Sequence, residues 1–144
     1  MTSTDSTTEI LNALLRGELS AIETYSTAIH KFPVTDAVAV LEHMRSDHLA
    51  SVSTLRALIT GRGGKPSTDS GAWGNFAKAV ESTASLFGPT SAISALKQGE
   101  KHGIGEYEEA LEDDSVPGDV KQVLRDKLLP PLQRHLLNLE SLSG

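Results

Sequence analysis

"EHMRSDHLASV", residues 42–52, lies inside a run of helical periodicity, and its His48 falls where an apolar residue is due. The stripe around it reads Leu41, His48, Val52, Leu55, Ile59, the spacing of a helix with one buried face. One turn before His48, Arg45 stands on or beside the same stripe, at the place where a helix-borne metal site would want a carboxylate. The helix opens after "PVTD" (33–36), with Thr35 or Asp36 as its cap, and runs from about Ala37 to Thr60, where Gly61 stops it.

Working outward, the same pattern recurs. "STTE", Ser6–Glu9, is a capping box, and residues 1–6 read as a flexible head. The helix behind it carries Leu11, Leu15, Ile22 and Ile29 on its stripe, with Tyr25 between, and ends before Pro33. The short turn at 33–36 makes the first two helices an antiparallel pair. Residues 61–70 form a glycine-rich loop, and 71–88 a short crossover helix anchored by Trp73. A third long helix, from about Thr90 to Glu112, shows Ile93, Leu96, Glu100, Ile104, Tyr107 and Leu111. The fourth, from about Val116 to Leu142, shows Val120, Leu124, Leu128, Leu132, His135, Leu139 and Leu142. Pro130 and Pro131 interrupt it, since each removes a backbone donor and clashes with the preceding turn. Either the helix ends near Leu129 and restarts with Pro130 in its first turn, or it bends sharply. The expected fold is all-α: one domain over 1–144, a four-helix bundle of two hairpins joined by a long crossover, the topology of ferritin-like bundles.

The composition of the 144 residues agrees: 38% hydrophobic, 22% charged and only 4% aromatic, as suits a soluble helical protein with an aliphatic core. A net charge of −6 argues against electrostatic nucleic-acid binding. No stretch approaches the roughly 20 apolar residues of a membrane span, and no secretory signal is visible. With no cysteine there is no disulfide framework and no thiolate metal site, and the cytosol is the expected compartment.

Each long helix places one acid or histidine on its apolar stripe: Glu18, His48, Glu100 and His135. Burying an unpaired charge costs several kcal/mol or more, roughly, so four inward polar residues need a common reason. Glu18 and His48 lie about 12 and 13 residues from their shared turn, hence at one height in an antiparallel pair. Glu100 and His135 lie about 14 and 20 residues from the turn near 114–115, a looser match. Two carboxylates and two imidazoles suit Zn²⁺, Fe²⁺ or Mn²⁺. The alternative is that these residues satisfy one another, with Arg45 neutralising Glu18 or Glu100.

"LNALLRGELSAIETY", Leu11–Tyr25, resembles the first helix of bacterioferritins. "HLASVSTLRALITGRGGKP", His48–Pro66, is similar to the end of their second helix. "ALKQGE", Ala95–Glu100, looks like the third-helix segment that supplies a terminal glutamate, and "LQRHLLNLESL", Leu132–Leu142, like the fourth-helix histidine segment. The chain also resembles a family of small bacterial ferritin-like four-helix-bundle proteins, which the glycine-rich loop and the crossover helix fit better. The resemblance implies Glu18, His48, Glu100 and His135 as ligands of iron or another metal. It also implies a Glu-x-x-His on helices two and four, where this chain has Arg45 and Leu132. Two cations about 3.5–4 Å apart would then lack the bridging charge that holds them together. Ferroxidase-type oxygen activation is therefore disfavoured, and a single metal (Fe or Zn) or a degenerate, metal-free site remains.

Three functions follow as expectations. The first is a metal-binding ferritin-like protein with one metal at the bundle centre. The second is a non-catalytic bundle whose Glu/His/Arg core sets register while its faces bind a partner or a second copy. The third, least favoured, is a ferroxidase. Among other polar residues, Glu42 reads as a solvated acid, and His43 with Asp47 as an exposed i, i+4 pair. His102 with Glu106 could form an edge metal site. Tyr25 and Tyr107 read as core packing, with one hydroxyl free to bond into the polar centre.

Overall fold

The computed structural model describes residues 3–31, 35–71, 78, 79, 82 and 88–143. Its elements are α1 (Ser3–Lys31), α2 (Thr35–Gly61), α3 (Pro89–Glu112), α4 (Gly118–Val123), a π-helical turn (Leu124–Leu128) and α5 (Leu129–Ser143). Residues 1–2, most of the crossover helix expected at 71–88, and Trp73 lie outside the described residues. The first helix opens at Ser3, so the Ser6–Glu9 box lies within it rather than at its edge. No described helix is long and apolar enough to cross a membrane.

Side-chain pairs give the helix directions. From Arg45–Ser26 to His48–Glu18, residue numbers rise along α2 as they fall along α1, so the two helices are antiparallel. Tyr25 meets Glu100 and Glu18 meets Tyr107, so α1 and α3 are antiparallel as well. Glu100 meets His135, and Gly103 faces Leu132, so α3 and α5 are antiparallel. It follows that α2 and α3 run parallel.

The α3–α5 pairings are symmetric about residues near 117–118, past the turn expected at 114–115. The fourth helical run therefore overshoots the end of α3. Its first turn and the residues just before it pack at the start of α1: Val116 and Val120 join Leu11 in one apolar cluster, and Thr7 Oγ1 donates to the Ser115 carbonyl at 2.9 Å. This overshoot is why Glu100 and His135 meet despite their unequal distances from the turn.

The π-helical turn has a cause in the stripe. Val120, Leu124, Leu128 and Leu132 are all buried and all four residues apart. In a regular α-helix, about 100° per residue, that spacing carries Leu132 roughly 120° away from the face of Val120. One extra residue in a widened turn absorbs about 100° of this drift and returns all four to one face. The Leu129 amide donates to the Leu124 carbonyl, closing the wide turn. Pro130 and Pro131 follow at the start of α5, directly after the wide turn. The fourth helix neither stops nor loses register at its prolines, because the wide turn precedes them.

At the far end of α2, "GRGG" is a helix stop of defined geometry. Gly63 has φ +80°, its amide donates to Thr60 O at 3.0 Å, and the Gly64 amide donates to Ile59 O at 2.9 Å. These are the paired bonds of a Schellman motif. Asn12 of α1 ties the following loop down, donating to Lys65 O at 3.0 Å and accepting from the Ser67 amide at 2.8 Å.

The core divides in two. One apolar cluster holds Leu11, Leu15, Leu55, Ile59, Leu124 and Leu128 among others, and the second holds Ala28, Leu41, Met44, Ile93, Leu96 and Leu139. Between them lies a polar layer.

Candidate metal centre

Four helices contribute to this layer. Glu18 (α1), His48 (α2), Glu100 (α3) and His135 (α5) are all buried, as the stripe positions require. His48 bridges two carboxylates: its Nδ1 lies 2.5 Å from Glu18 Oε1 and its Nε2 3.0 Å from Glu100 Oε2. His135 Nδ1 lies 3.2 Å from the same Glu100 Oε2. The two imidazoles are neighbours, with ring centroids 4.8 Å apart.

Both tyrosines belong to the layer. Tyr25 OH donates to Glu100 Oε2 at 2.5 Å, and Tyr107 OH donates to Glu18 Oε2 at 2.6 Å. Tyr25 also stacks on His48, with centroids 5.4 Å apart. The exchange is reciprocal: α1 sends a tyrosine to the glutamate of α3, and α3 sends one to the glutamate of α1. It follows from a repeat present in both helices, Glu18-x3-Ile22-x2-Tyr25 and Glu100-x3-Ile104-x2-Tyr107. In antiparallel helices, a Glu and a Tyr two turns apart place each tyrosine opposite the other helix's acid. That repeat is the sequence signal that would have assigned both hydroxyls.

Asp47 was expected beside His43 on the surface, and the structure corrects this. Its Oδ2 lies 2.8 Å from His135 Nε2, with the side chain 27% exposed against 1% for the histidine. One residue from His48 means about 100° around α2, which turns Asp47 to the flank facing α5. Arg45 was expected as the counter-charge of Glu18 or Glu100. Instead its Nη1 donates to Ser26 Oγ at 3.2 Å, along the α1–α2 seam. Glu42 is exposed, as expected. His102 is exposed and Glu106 half-buried, and neither joins the group whose ligand atoms converge.

The electrostatics follow from this geometry. Burial pushes the His48 imidazole down, but the charge of Glu18 and the hydrogen bonds to Glu100 and Glu18 outweigh it and hold its pKa at about 10. Burial pushes the Glu100 carboxyl up, but its contacts with His135 and His48 outweigh it and hold its pKa at about 2. Burial raises both tyrosines well above their usual range, reinforced by the charge of Glu100 on Tyr25 and of Glu18 on Tyr107. Both phenols therefore stay protonated and act as donors. In the metal-free protein, His48 is an imidazolium held between two carboxylates.

The donor set fits a metal. His48, Glu100 and His135 each offer a ligand atom, and these atoms all lie within 4.8 Å of one another. Around a tetrahedral cation with bonds of about 2.0–2.1 Å, neighbouring ligand atoms stand roughly 3.3 Å apart. The separations of 3.0 and 3.2 Å from Glu100 Oε2 to the two inner nitrogens are close to that. Glu100 Oε2 already receives Tyr25 and His48 and lies 3.2 Å from His135 Nδ1, while its buried Oε1 has no hydrogen-bond partner among the described residues. A cavity of about 40 Å³, lined by Glu18, Tyr25, His48, Glu100, Tyr107 and Leu132 among others, adjoins the layer.

Comparison with curated proteins and with solved structures finds no match. A family model matches residues 6–113, which span α1 to the end of α3 and include Glu18, Asp47, His48 and Glu100 but not His135. The match covers well over half of the chain, which belongs to the family described as a domain of unknown function, DUF2383.

Proposed function

We propose that the protein is a metal-binding helical bundle of ferritin-like architecture that holds one divalent cation, zinc or ferrous iron, in the polar layer. The ligands are His48 through Nε2, His135 through Nδ1 and Glu100. Glu18, expected from the sequence as a fourth ligand, takes the outer place: it accepts from the Nδ1 side of His48 and orients the ring, as carboxylates do behind ligand histidines. The observation that carries the reading is the convergence of two imidazole nitrogens on one buried carboxylate whose second oxygen has no hydrogen-bond partner among the described residues. The antiparallel and parallel order of the helices, with a long connection between α2 and α3, supports the ferritin-like assignment. Leu132 in place of an acid, and Arg45 turned to Ser26, leave no bridging carboxylate for a second cation.

The second reading is a metal-free network that fixes helix register. It is favoured by the His48 imidazolium, already satisfied by Glu18 and Glu100. The two readings compete for one proton, because a cation must displace the proton on His48 Nε2. Competitive Zn²⁺ titration separates them. Metal binding predicts saturable uptake that releases protons, a large loss in His135→Ala, and a smaller loss in Glu18→Gln. Equal affinity in wild type and His135→Ala would refute the proposed ligand set.

A further inference from the structure

We propose that Asp47 is a positioning residue for His135: it keeps the proton on the outer nitrogen, Nε2, and so presents the inner Nδ1 to the centre. The consequence for metal rests on the metal reading above. The placement itself is a property of the metal-free protein.

His135 is almost wholly buried, and its two nitrogens face different carboxylates. Nε2 lies 2.8 Å from Asp47 Oδ2, whereas Nδ1 lies 3.2 Å from Glu100 Oε2. The shorter contact is the one to Asp47. Glu100 Oε2 is already shared with Tyr25 and His48, so it is the poorer acceptor for a third proton. With one proton on the ring, the Nε2–H form satisfies Asp47 and leaves a lone pair on Nδ1, aimed at the residue that anchors the centre. The opposite tautomer would place two lone-pair-bearing atoms, Nε2 and Asp47 Oδ2, at 2.8 Å, whereas in the Nε2–H form the facing pair, Nδ1 and Glu100 Oε2, stands further apart at 3.2 Å.

The arrangement mirrors the other histidine. Glu18 of α1 stands behind His48 of α2, and Asp47 of α2 stands behind His135 of α5. Each imidazole is thus steered by an acid from a neighbouring helix. The adjacent residues Asp47 and His48 serve both: one enters the centre and the other holds its partner ring from the flank. Removing an outer acid behind a ligand histidine lowers metal affinity by about 10–100-fold.

The test uses Asp47→Asn and Asp47→Ala in the full chain. Long-range ¹⁵N correlation of the imidazole rings reads the tautomer in metal-free protein near pH 8. Wild type should show His135 protonated at Nε2. Asp47→Asn should keep that form, because its amide oxygen still accepts. Asp47→Ala should shift the proton towards Nδ1, the side that retains an acceptor. Zn²⁺ affinity should fall by about 10–100-fold in Asp47→Ala and be largely retained in Asp47→Asn. An unprotonated Nε2 in wild type overturns the proposal, as does an unchanged tautomer in Asp47→Ala. Wild type that takes up no metal refutes the metal reading alone, since the tautomer decides the role of Asp47 without metal.

Discussion

Raising the pH should unlock the polar layer in the metal-free protein, and His48 sets how far. Its pKa is about 10 in the folded state against 6.5 for a free imidazole. A group whose folded pKa is raised stabilises the fold fully below the unfolded value and loses that stabilisation as pH climbs to the folded value. The window is therefore about 6.5 to 10. At about 1.4 kcal/mol per unit, the full loss is roughly 5 kcal/mol, and burial leaves little solvent screening to reduce it. Glu100 gives the opposite limb: held at about 2 against 4.5, it stabilises above 4.5 and loses that contribution as pH falls towards 2. The two shifts describe one network, so they are not added. Urea unfolding with a chelator present, at several pH values across 6.5–10, reads the His48 limb. Wild type should lose several kcal/mol across it, roughly, and His48→Gln should show no such slope. NMR should show the His48 ring doubly protonated well above 6.5. A ring that titrates near 6.5, together with equal pH slopes in wild type and variant, would refute the ion-pair assignment.

Other outcomes follow from single contacts. Tyr107→Phe removes the donor to Glu18 Oε2 and leaves a buried carboxylate oxygen unpaired; thermal melts should show a cost of about 1–3 kcal/mol. At Gly64 an added Cβ would lie 2.6 Å from Thr8 Cγ2, whereas at Gly61 it meets nothing within 4 Å. Gly64→Ala should therefore destabilise by about 1–3 kcal/mol, and Gly61→Ala, at a helical position, should be neutral or gain up to about 1 kcal/mol. Deleting Asp126, an exposed residue of the wide turn, restores ordinary α pitch and keeps His135 in place. Deleting the exposed Gln133 turns His135 about 100° relative to the segment before it. A midpoint loss in urea as large for the first deletion as for the second would show that the extra residue does not realign the stripe.

The positions most legible in the sequence were those governed by helical period alone. Glu18, His48, Glu100 and His135 interrupt apolar stripes at spacings of three and four, and burial follows directly from that. The less legible features depend on neighbours. Asp47 is one residue off the stripe, and only the position of α5 makes its flank an inner one. Arg45 sits at the site where the bacterioferritin resemblance implies an acid, but its long side chain follows the α1–α2 seam to Ser26 rather than entering the centre. The prolines drew attention to 130 and 131, yet the departure from α geometry begins earlier, at Leu124. Its cause was visible as four consecutive leucine and valine positions spaced by four. The reciprocal tyrosines required the direction of α3 relative to α1, which neither stripe carries by itself.

The central claim, that the polar layer holds one cation, is tested most directly by counting metal. Protein purified without an affinity tag or chelator, then loaded with Fe²⁺ or Zn²⁺ and dialysed, should retain close to one metal per chain. His135→Ala, loaded alongside it, should retain almost none. Less than about 0.2 metal per chain in the wild type after loading would contradict the claim and leave the His48 ion-pair network as the function of the layer.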